Sequence, residues 1–296
     1  MLTPIPSDLV LSGRAANIRV AILDQDGALD VAASGITYGV TSADGSEVVA
    51  PGATPTIDAG VATAALTAAQ TAALDVLTIT WTKDDITVAT STVEVVSAYY
   101  VSVEEVRNSD PALRDTTKYP NADIIGARFG CERLFESELR RAYVPRYARD
   151  DVVSLGGEIL LLPTYDVRRI RSVRQYAPTG NTYTTWTDDQ LAAVQGSESG
   201  ACVRMDGAAW PFARLVIEWE YGNSAPPADL RRLFTRWVRH ELNANKSGIP
   251  DRATSYVDVG GVNFRVLTPG IGGSLTGMPD VDRALKRYGF RKMGVA

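Results

Sequence analysis

A chain of 296 residues exceeds the roughly 100–200 residues of an ordinary domain, so two domains are expected. Hydrophobic residues at 45% and charged residues at 22% supply enough apolar surface for a core, which excludes a wholly disordered chain. The net charge of -5 hides a division: residues 1–98 hold eleven acidic against three basic side chains, giving -8, and residues 99–296 hold 24 against 27, giving +3.

From Asn17 to Val96, short β-branched runs are separated by turn residues. Ile18, Val20 and Ile22 share one face of a strand over Asn17 to Leu23, and Asp26-Gly27 turns the chain. Ile36 to Val40 runs to a turn at Asp44-Gly45, and Glu47 to Val49 leaves it. Val76 to Thr82 and Ile86 to Val96 flank Asp84-Asp85. About seven strands at hairpin spacing predict an all-β immunoglobulin-like sandwich over residues 1–97. Asp24, Asp26 and Asp30 read as turn residues and not as a calcium loop, because the Gly and terminal Glu of an EF-hand are missing. Trp81, inside an alternating strand, is expected to anchor the core.

Beyond Tyr99-Tyr100 the apolar period moves from two toward 3.6. Ser102 and Glu105 have capping-box spacing, so a short helix starts there and stops near Pro111. A longer helix opens at Asn121 or Asp123 and is expected to end at Pro145. Its apolar stripe of Ile124, Ala127, Cys131, Leu134, Phe135 and Leu139 puts Cys131 in the core, where it is no nucleophile. An antiparallel β insertion over residues 158–222 follows, with strands over Glu158 to Leu162, Val167 to Tyr176, Ala201 to Met205 and Arg214 to Tyr221.

Pro226-Pro227 launches the clearest helix, where Leu230, Leu233, Phe234, Trp237, Val238, Glu241 and Leu242 recur at helical spacing. Arg231, Arg232, Arg236 and Arg239 occupy its other side. They could neutralise phosphates, but a solvated or interface face bonded to carboxylates is the simpler reading in an acidic chain. His240 beside Glu241 has no Ser or Cys placed to serve as nucleophile and reads as structural. Residues 246–278, rich in Gly, Ser, Thr and Pro, read as an extended arm that docks on a neighbouring subunit. Gly272-Gly273 has neither the Walker nor the GxGxxG spacing. A final helix over residues 279–292 starts at Pro279.

One histidine and two cysteines, Cys131 and Cys202, cannot supply the four ligands of a structural zinc site. Two thiols make no disulfide framework, and a reduced compartment or indifference to redox fits them. Met1 to Val10 carries two prolines and no positive charge and does not read as a signal peptide. No stretch approaches the ~18 apolar residues of a membrane span. No cofactor and no metal are expected.

Five pieces stand in a familiar order: Tyr143-Val144-Pro145-Arg146-Tyr147, then Val167-Arg168-Arg169-Ile170-Arg171-Ser172-Val173, then Trp210-Pro211 before the Trp219/Tyr221 strand. Gly248-Ile249-Pro250-Asp251-Arg252-Ala253-Thr254-Ser255-Tyr256 and Thr276-Gly277-Met278-Pro279-Asp280-Val281-Asp282-Arg283 complete it. Across about residues 99–296 the chain resembles the head-to-tail connector, or adaptor, proteins of long-tailed bacteriophages, and is most similar to those of phages infecting actinobacteria. The resemblance implies an α+β adaptor domain over residues 98–296, with a helical core, the antiparallel β insertion and the long extended arm. The N-terminal immunoglobulin-like domain lies outside the basic adaptor pattern and looks like an added decoration.

The same resemblance implies a non-enzymatic virion structural protein, made in the host cytoplasm and placed in the neck between capsid and tail. It would form a ring of twelve copies beneath the portal and continue the DNA channel. Its partners would be itself, the portal protein, and a stopper or other neck and tail proteins. Genomic DNA would pass without sequence-specific binding, and no membrane is involved. Portal or inter-subunit contacts would fall on the arm and final helix, at Arg252, Tyr256, Phe264, Arg265, Leu267, Pro269, Leu275, Met278, Val281, Leu285 and Tyr288.

A stopper or tail-completion protein is the alternative within the same class. A carbohydrate-active or metal-dependent hydrolase would need Asp150-Asp151 or Asp188-Asp189 as acid and base, and a DNA-binding regulator would use the arginine helix. Of the thirty basic residues, 25 are Arg and five Lys. The planar guanidinium suits repeated ion pairs, so the arginines are expected on carboxylates of neighbouring subunits and not on DNA.

Overall fold

Where apolar and polar side chains alternate most strictly, as in Ile18, Val20 and Ile22, one face of a strand is buried and the other is not. The computed structural model describes residues 2–4, 9–23, 26–30, 34–178, 181–244, 255–257, 263–265 and 276–288. Its first nine strands are β1 (Leu2–Pro4), β2 (Val10–Leu11), β3 (Ala16–Ile22), β4 (Ile36–Thr41), β5 (Glu47–Ala53), β6 (Thr56–Asp58), β7 (Val61–Leu66), β8 (Asp75–Lys83) and β9 (Ile86–Val96). Helix α1 (Val103–Asn108), a 3-10 turn over Pro111–Arg114 and α2 (Asn121–Leu139) follow.

The chain returns to strands with β10 (Arg146–Gly157), β11 (Ile159–Leu161), β12 (Val167–Tyr176) and β13 (Tyr183–Thr185). The short helix α3 (Asp188–Ala192) leads to β14 (Val194–Gly196), β15 (Ala201–Arg204) and β16 (Trp210–Tyr221). Helix α4 (Ala228–Ala244), β17 (Ser255–Val257), β18 (Asn263–Arg265) and α5 (Pro279–Tyr288) complete the order. These elements gather into two units, each made from two stretches of chain. One comprises Met1–Tyr99 with Ala142–Ala225, and the other Tyr100–Arg141 with Pro226–Ala296.

The first unit holds two hydrophobic cores. In its front part, sheets of order β1-β3-β7-β6 and β2-β9-β8-β4-β5 close on one core containing Ile18, Val20, Val40, Ala62, Ile79, Trp81 and Val95. Trp81 is fully buried, 5.7 Å from the Tyr38 ring, and its indole Nε1 donates to Ser91 Oγ at 3.1 Å. That is the anchoring position expected of it. Asp84 and Asp85 both take left-handed backbone, with φ of 51° and 63°, as a two-residue hairpin turn requires.

The second core lies between the sheet β10-β16-β12-β13 and the smaller sheet β11-β15-β14, with Val173, Cys202, Trp210, Leu215, Ile217 and Trp219 inside. Strand β10 pairs with β16 from Arg146 opposite Tyr221 to Gly157 opposite Trp210. The β region therefore begins at Arg146, twelve residues before the expected start at Glu158. The Arg-Asp-Asp in the middle of β10 breaks apolar alternation, and the strand is held by its long partner, not by its own pattern. Helix α3 was not expected either. It carries its own capping box, Thr187 with Gln190.

In the helical unit, the Ser102 hydroxyl accepts from the Glu105 amide at 3.1 Å and the Glu105 carboxylate accepts from the Ser102 amide at 2.7 Å, completing the predicted capping box. Cys131 is buried on α2 as expected. The helix ends at Leu139, before Pro145, because Arg140 turns left-handed with φ 51°. Tyr100, Phe135, Phe234 and Trp237 form an aromatic cluster with ring centres 5.1–6.2 Å apart. Arg128 and Glu132 are buried beside it. Glu132 accepts from the Tyr100 amide at 3.1 Å, and Arg128 donates to the Val101 carbonyl at 3.3 Å. Within residues 246–278, β17 and β18 pair as a short antiparallel hairpin, with Tyr256 opposite Phe264. An extended arm was expected there.

Replacing Trp81 by Ala removes the largest side chain of the front core and leaves Ser91 without its donor. Denaturant unfolding is expected to show a loss of about 3–5 kcal/mol.

Candidate assembly surfaces

Three of the four arginines on α4 are engaged within their own unit. Arg231 pairs with Glu105, Arg236 with Asp280 at 3.1 Å, and Arg239 with Asp110 at 3.8 Å and the Ser109 carbonyl at 3.4 Å. Burial alone would raise the Glu105 carboxyl, but bonds from Arg231 and Ser102 outweigh it and hold the group below its usual value. The carboxylates that meet this face belong to the same chain, where those of neighbouring subunits were expected, and of the four only Arg232 carries no ion pair among the described residues.

Helix α5 lies on the same unit by its apolar side, with Val281, Ala284 and Leu285 buried. Asp229 accepts from the Tyr288 hydroxyl at 2.5 Å and lies 3.5 Å from Arg287. Thr276 donates through its amide and hydroxyl to Asp282 at 3.0 and 2.9 Å, fixing the start of the helix. Of the expected contact residues, Val281 and Leu285 are thus covered by their own chain, while Met278 and Tyr288 are half-buried. Tyr256, Phe264 and Arg265 lie in the β17–β18 hairpin. Arg252, Leu267, Pro269 and Leu275 lie outside the described residues.

His240 Nδ1 lies 3.9 Å from Glu241, whose other neighbour, Trp237 Nε1, donates at 3.1 Å. Cys131 and Glu241 line a groove of about 630 Å³ between α2 and α4, but burial, with Glu241 and then Glu132 adding to it, pushes the thiol far above its usual range. Burial likewise raises Cys202, to about 12. Among the described residues no group of three or more His, Cys, Asp or Glu side chains is arranged to hold a metal ion. Asp151 is clasped by Arg214 through Nε at 2.9–3.0 Å, which holds its carboxyl low, and Asp188 and Asp189 sit in the first turn of α3.

The arginines of β10 and β12 behave differently from expectation. Arg149 donates to the Ala43 carbonyl at 2.7 Å, Arg171 to the Leu74 carbonyl, and Arg174 pairs with Asp44 at 3.4 Å. Arg146, almost fully buried, faces Glu94 at 3.8 Å, while Arg149 also meets Glu218 at 3.4 Å and Arg169 meets Glu220 at 2.7 Å. These guanidinium groups are taken up by carboxylates and carbonyls of their own chain, not by a neighbouring subunit. Burial pushes the carboxyls of Asp75 and Glu218 up, each against its arginine neighbours.

No family model matches the sequence, and no curated protein matches it. Among solved structures, the chain is similar to one in the neck of an empty gene transfer agent (GTA) particle, reconstructed with C6 symmetry. The identity is 17% and the TM-score 0.44, covering 66% of this chain and 92% of that one. It is also similar to a chain in the virion of the native particle, at 16% identity and TM-score 0.43, again covering 66% and 92%. A chain in the native neck reconstructed with C12 symmetry matches at 13% identity and TM-score 0.39, covering 67% and 97%.

Burial works to raise the Asp44 carboxyl, but bonds from Ser42 and Ser46 and the charge of Arg174 bring it down to about 2. A depressed carboxyl adds stability above the ordinary Asp value near ~4, and that contribution disappears as pH falls toward about 2. Asp44→Asn is therefore expected to reduce stability at neutral pH and to flatten the acid limb of a thermal-melt pH profile between these values.

Proposed function

We propose that this chain is a structural protein of the neck of a phage-like virion, an adaptor that forms a ring of twelve copies beneath the portal and continues the DNA channel. The observation that carries the reading is the ordered run of sequence pieces from Tyr143 to Arg283, set on an arginine-rich β insertion, a Pro-Pro-led helix and a Pro-led final helix. The engagement of Arg231, Arg236 and Arg239 by carboxylates supports a conduit that does not grip DNA, since each phosphate neutralised would add salt-dependent affinity and resist sliding. The protein acts without catalysis or cofactor.

Residues 1–97 serve in this reading as an immunoglobulin-like domain on the outside of the neck, and residues 98–296 as the adaptor domain. The arm over residues 246–278 and α5 reach the portal and adjacent subunits through Arg252, Tyr256, Phe264, Arg265, Leu267, Pro269, Leu275, Met278, Val281, Leu285 and Tyr288. Because Val281 and Leu285 are buried in cis, α5 must leave its seat for those two to meet a partner. A ring places the same unlike patches together on every copy, so one weak contact is repeated around a closed circle.

Negative-stain microscopy of particles carrying a tagged copy is expected to place the label at the neck, with co-purification of the portal. Label elsewhere, with no portal association, overturns the reading. Label on the tail side of the neck assigns a stopper or tail-completion protein instead. Duplex DNA is expected to show no tight, steeply salt-dependent binding to the free chain.

A further inference from the structure

The groove between α2 and α4 is open, although the same seam is closed further along. Helix α5 packs on both α2 and α4 and buries Val281, Ala284 and Leu285 there. It runs opposite to α4, since Asp280 in its first turn meets Arg236 at 3.1 Å while Tyr288 at its end bonds Asp229. The groove of about 630 Å³ begins at Trp237, next to Arg236, and Glu241 and Leu242 carry its wall onward along α4. It therefore continues the seat of α5 beyond the start of that helix. The facing wall on α2 includes Gly126, Ala127, Gly130 and Leu134. Gly126 and Gly130, one helical turn apart, are exposed, and a Cβ on either would meet no atom within 4 Å. Glycine inside a helix weakens it relative to alanine, and nothing among the described residues calls for the missing side chains.

The path of the chain decides what fills this space. The chain leaves α4 at Ala244, two residues past Leu242, and Thr276, ahead of α5, is already buried and tied to Asp282. Residues 266–275 lie outside the described residues, and their last members must reach Thr276 from the end of α5 at which the groove lies. Five extended residues span at most about 17 Å, which is also about the length of the α2 wall from Asp123 to Leu134 at the helical rise. Residues 266–275 hold no charged side chain, which suits an apolar trough, and Gly272-Gly273 lets a backbone come close to the glycine wall. Amides of an extended segment need acceptors once they leave water. Glu241 stands half-buried on the wall, and its carboxylate, which accepts from Trp237 Nε1 at 3.1 Å, has further lone pairs to offer.

We propose that Ile271 to Leu275 of the same chain lie in this groove, with the Ile271 and Leu275 side chains against its apolar wall at Leu134 and Trp237. The arm is then held at both of its roots, Ala244 and Thr276, and its middle, with the β17–β18 hairpin, is the part left to reach outward. Leu275, like Val281 and Leu285, meets a partner only when this root leaves its seat. The inference stands on the groove and the chain path and does not depend on the ring-forming reading.

Hydrogen exchange of the full chain, read on peptides covering residues 266–275, tests it. Their amides are expected to exchange at least about tenfold more slowly than those of an unstructured chain, as a docked segment does, and equally at low and high protein concentration. Gly130→Phe fills the groove from a water-facing helical position with room for a side chain and is expected to remove this protection. Gly126→Leu, on the same wall, repeats the test with a smaller side chain. Ala122→Phe, exposed on α2 away from the groove lining, leaves the protection in place. All three variants are checked for native circular dichroism. Exchange at the unstructured rate in the wild type overturns the proposal, as does protection that both glycine variants leave untouched or that Ala122→Phe removes equally. Protection that appears only as concentration rises assigns the groove to a second copy and overturns the same-chain seat.

Discussion

A guanidinium group taken out of water must end on an acceptor, and the first unit is arranged around that requirement. Arg146, Arg149, Arg171 and Arg174 leave β10 and β12 and end on Glu94, Ala43, Leu74 and Asp44, all of them in the front of the chain. These contacts join two stretches of sequence that each have a hydrophobic core of their own.

The helical unit applies the same rule on a smaller scale. Glu132 and Arg128 sit in its interior and take the backbone of Tyr100 and Val101, the residues by which the chain enters. The chain leaves at Arg141 and comes back at Pro226, and its outgoing and returning stretches run side by side, with the Asn223 amide donating to the Ala142 carbonyl at 3.0 Å. Gly222 belongs to that crossing. At φ +95° a Cβ on it would fall 2.4 Å from the Val144 carbonyl oxygen, so no other residue fits the position without moving the backbone.

How much of this was legible in the sequence depends on the range of the interaction. Ser102 with Glu105, the alternation through Ile18 and Val20, the Pro-Pro start of α4 and the burial of Trp81 and Cys131 are set within a few residues, and each is found where its local pattern puts it. Strand β10 exists because β16 lies along it, and no window of its own residues carries that information. The end of α2 turns on one left-handed residue, Arg140, which has no glycine to announce it. The arginine partners were the least legible. Arg149 and Ala43 are 106 residues apart, and Arg174 and Asp44 are 130 apart, so composition could say that the arginines need acceptors but not that these lie in the same molecule.

The discontinuous build of the first unit also has a consequence for how the chain comes off the ribosome. Residues 1–99 contain every side chain of the front core, so that core can close while the rest is still being made. Its acidic rim is then finished before any arginine of β10 or β12 has been synthesised, and α1 and α2 emerge in between. The sequence-distant joint closes long loops, of 106 residues between Ala43 and Arg149 and 130 between Asp44 and Arg174. Nascent chains halted between Arg141 and Arg146 would thus display a folded, acidic front end with its docking acceptors still open to water.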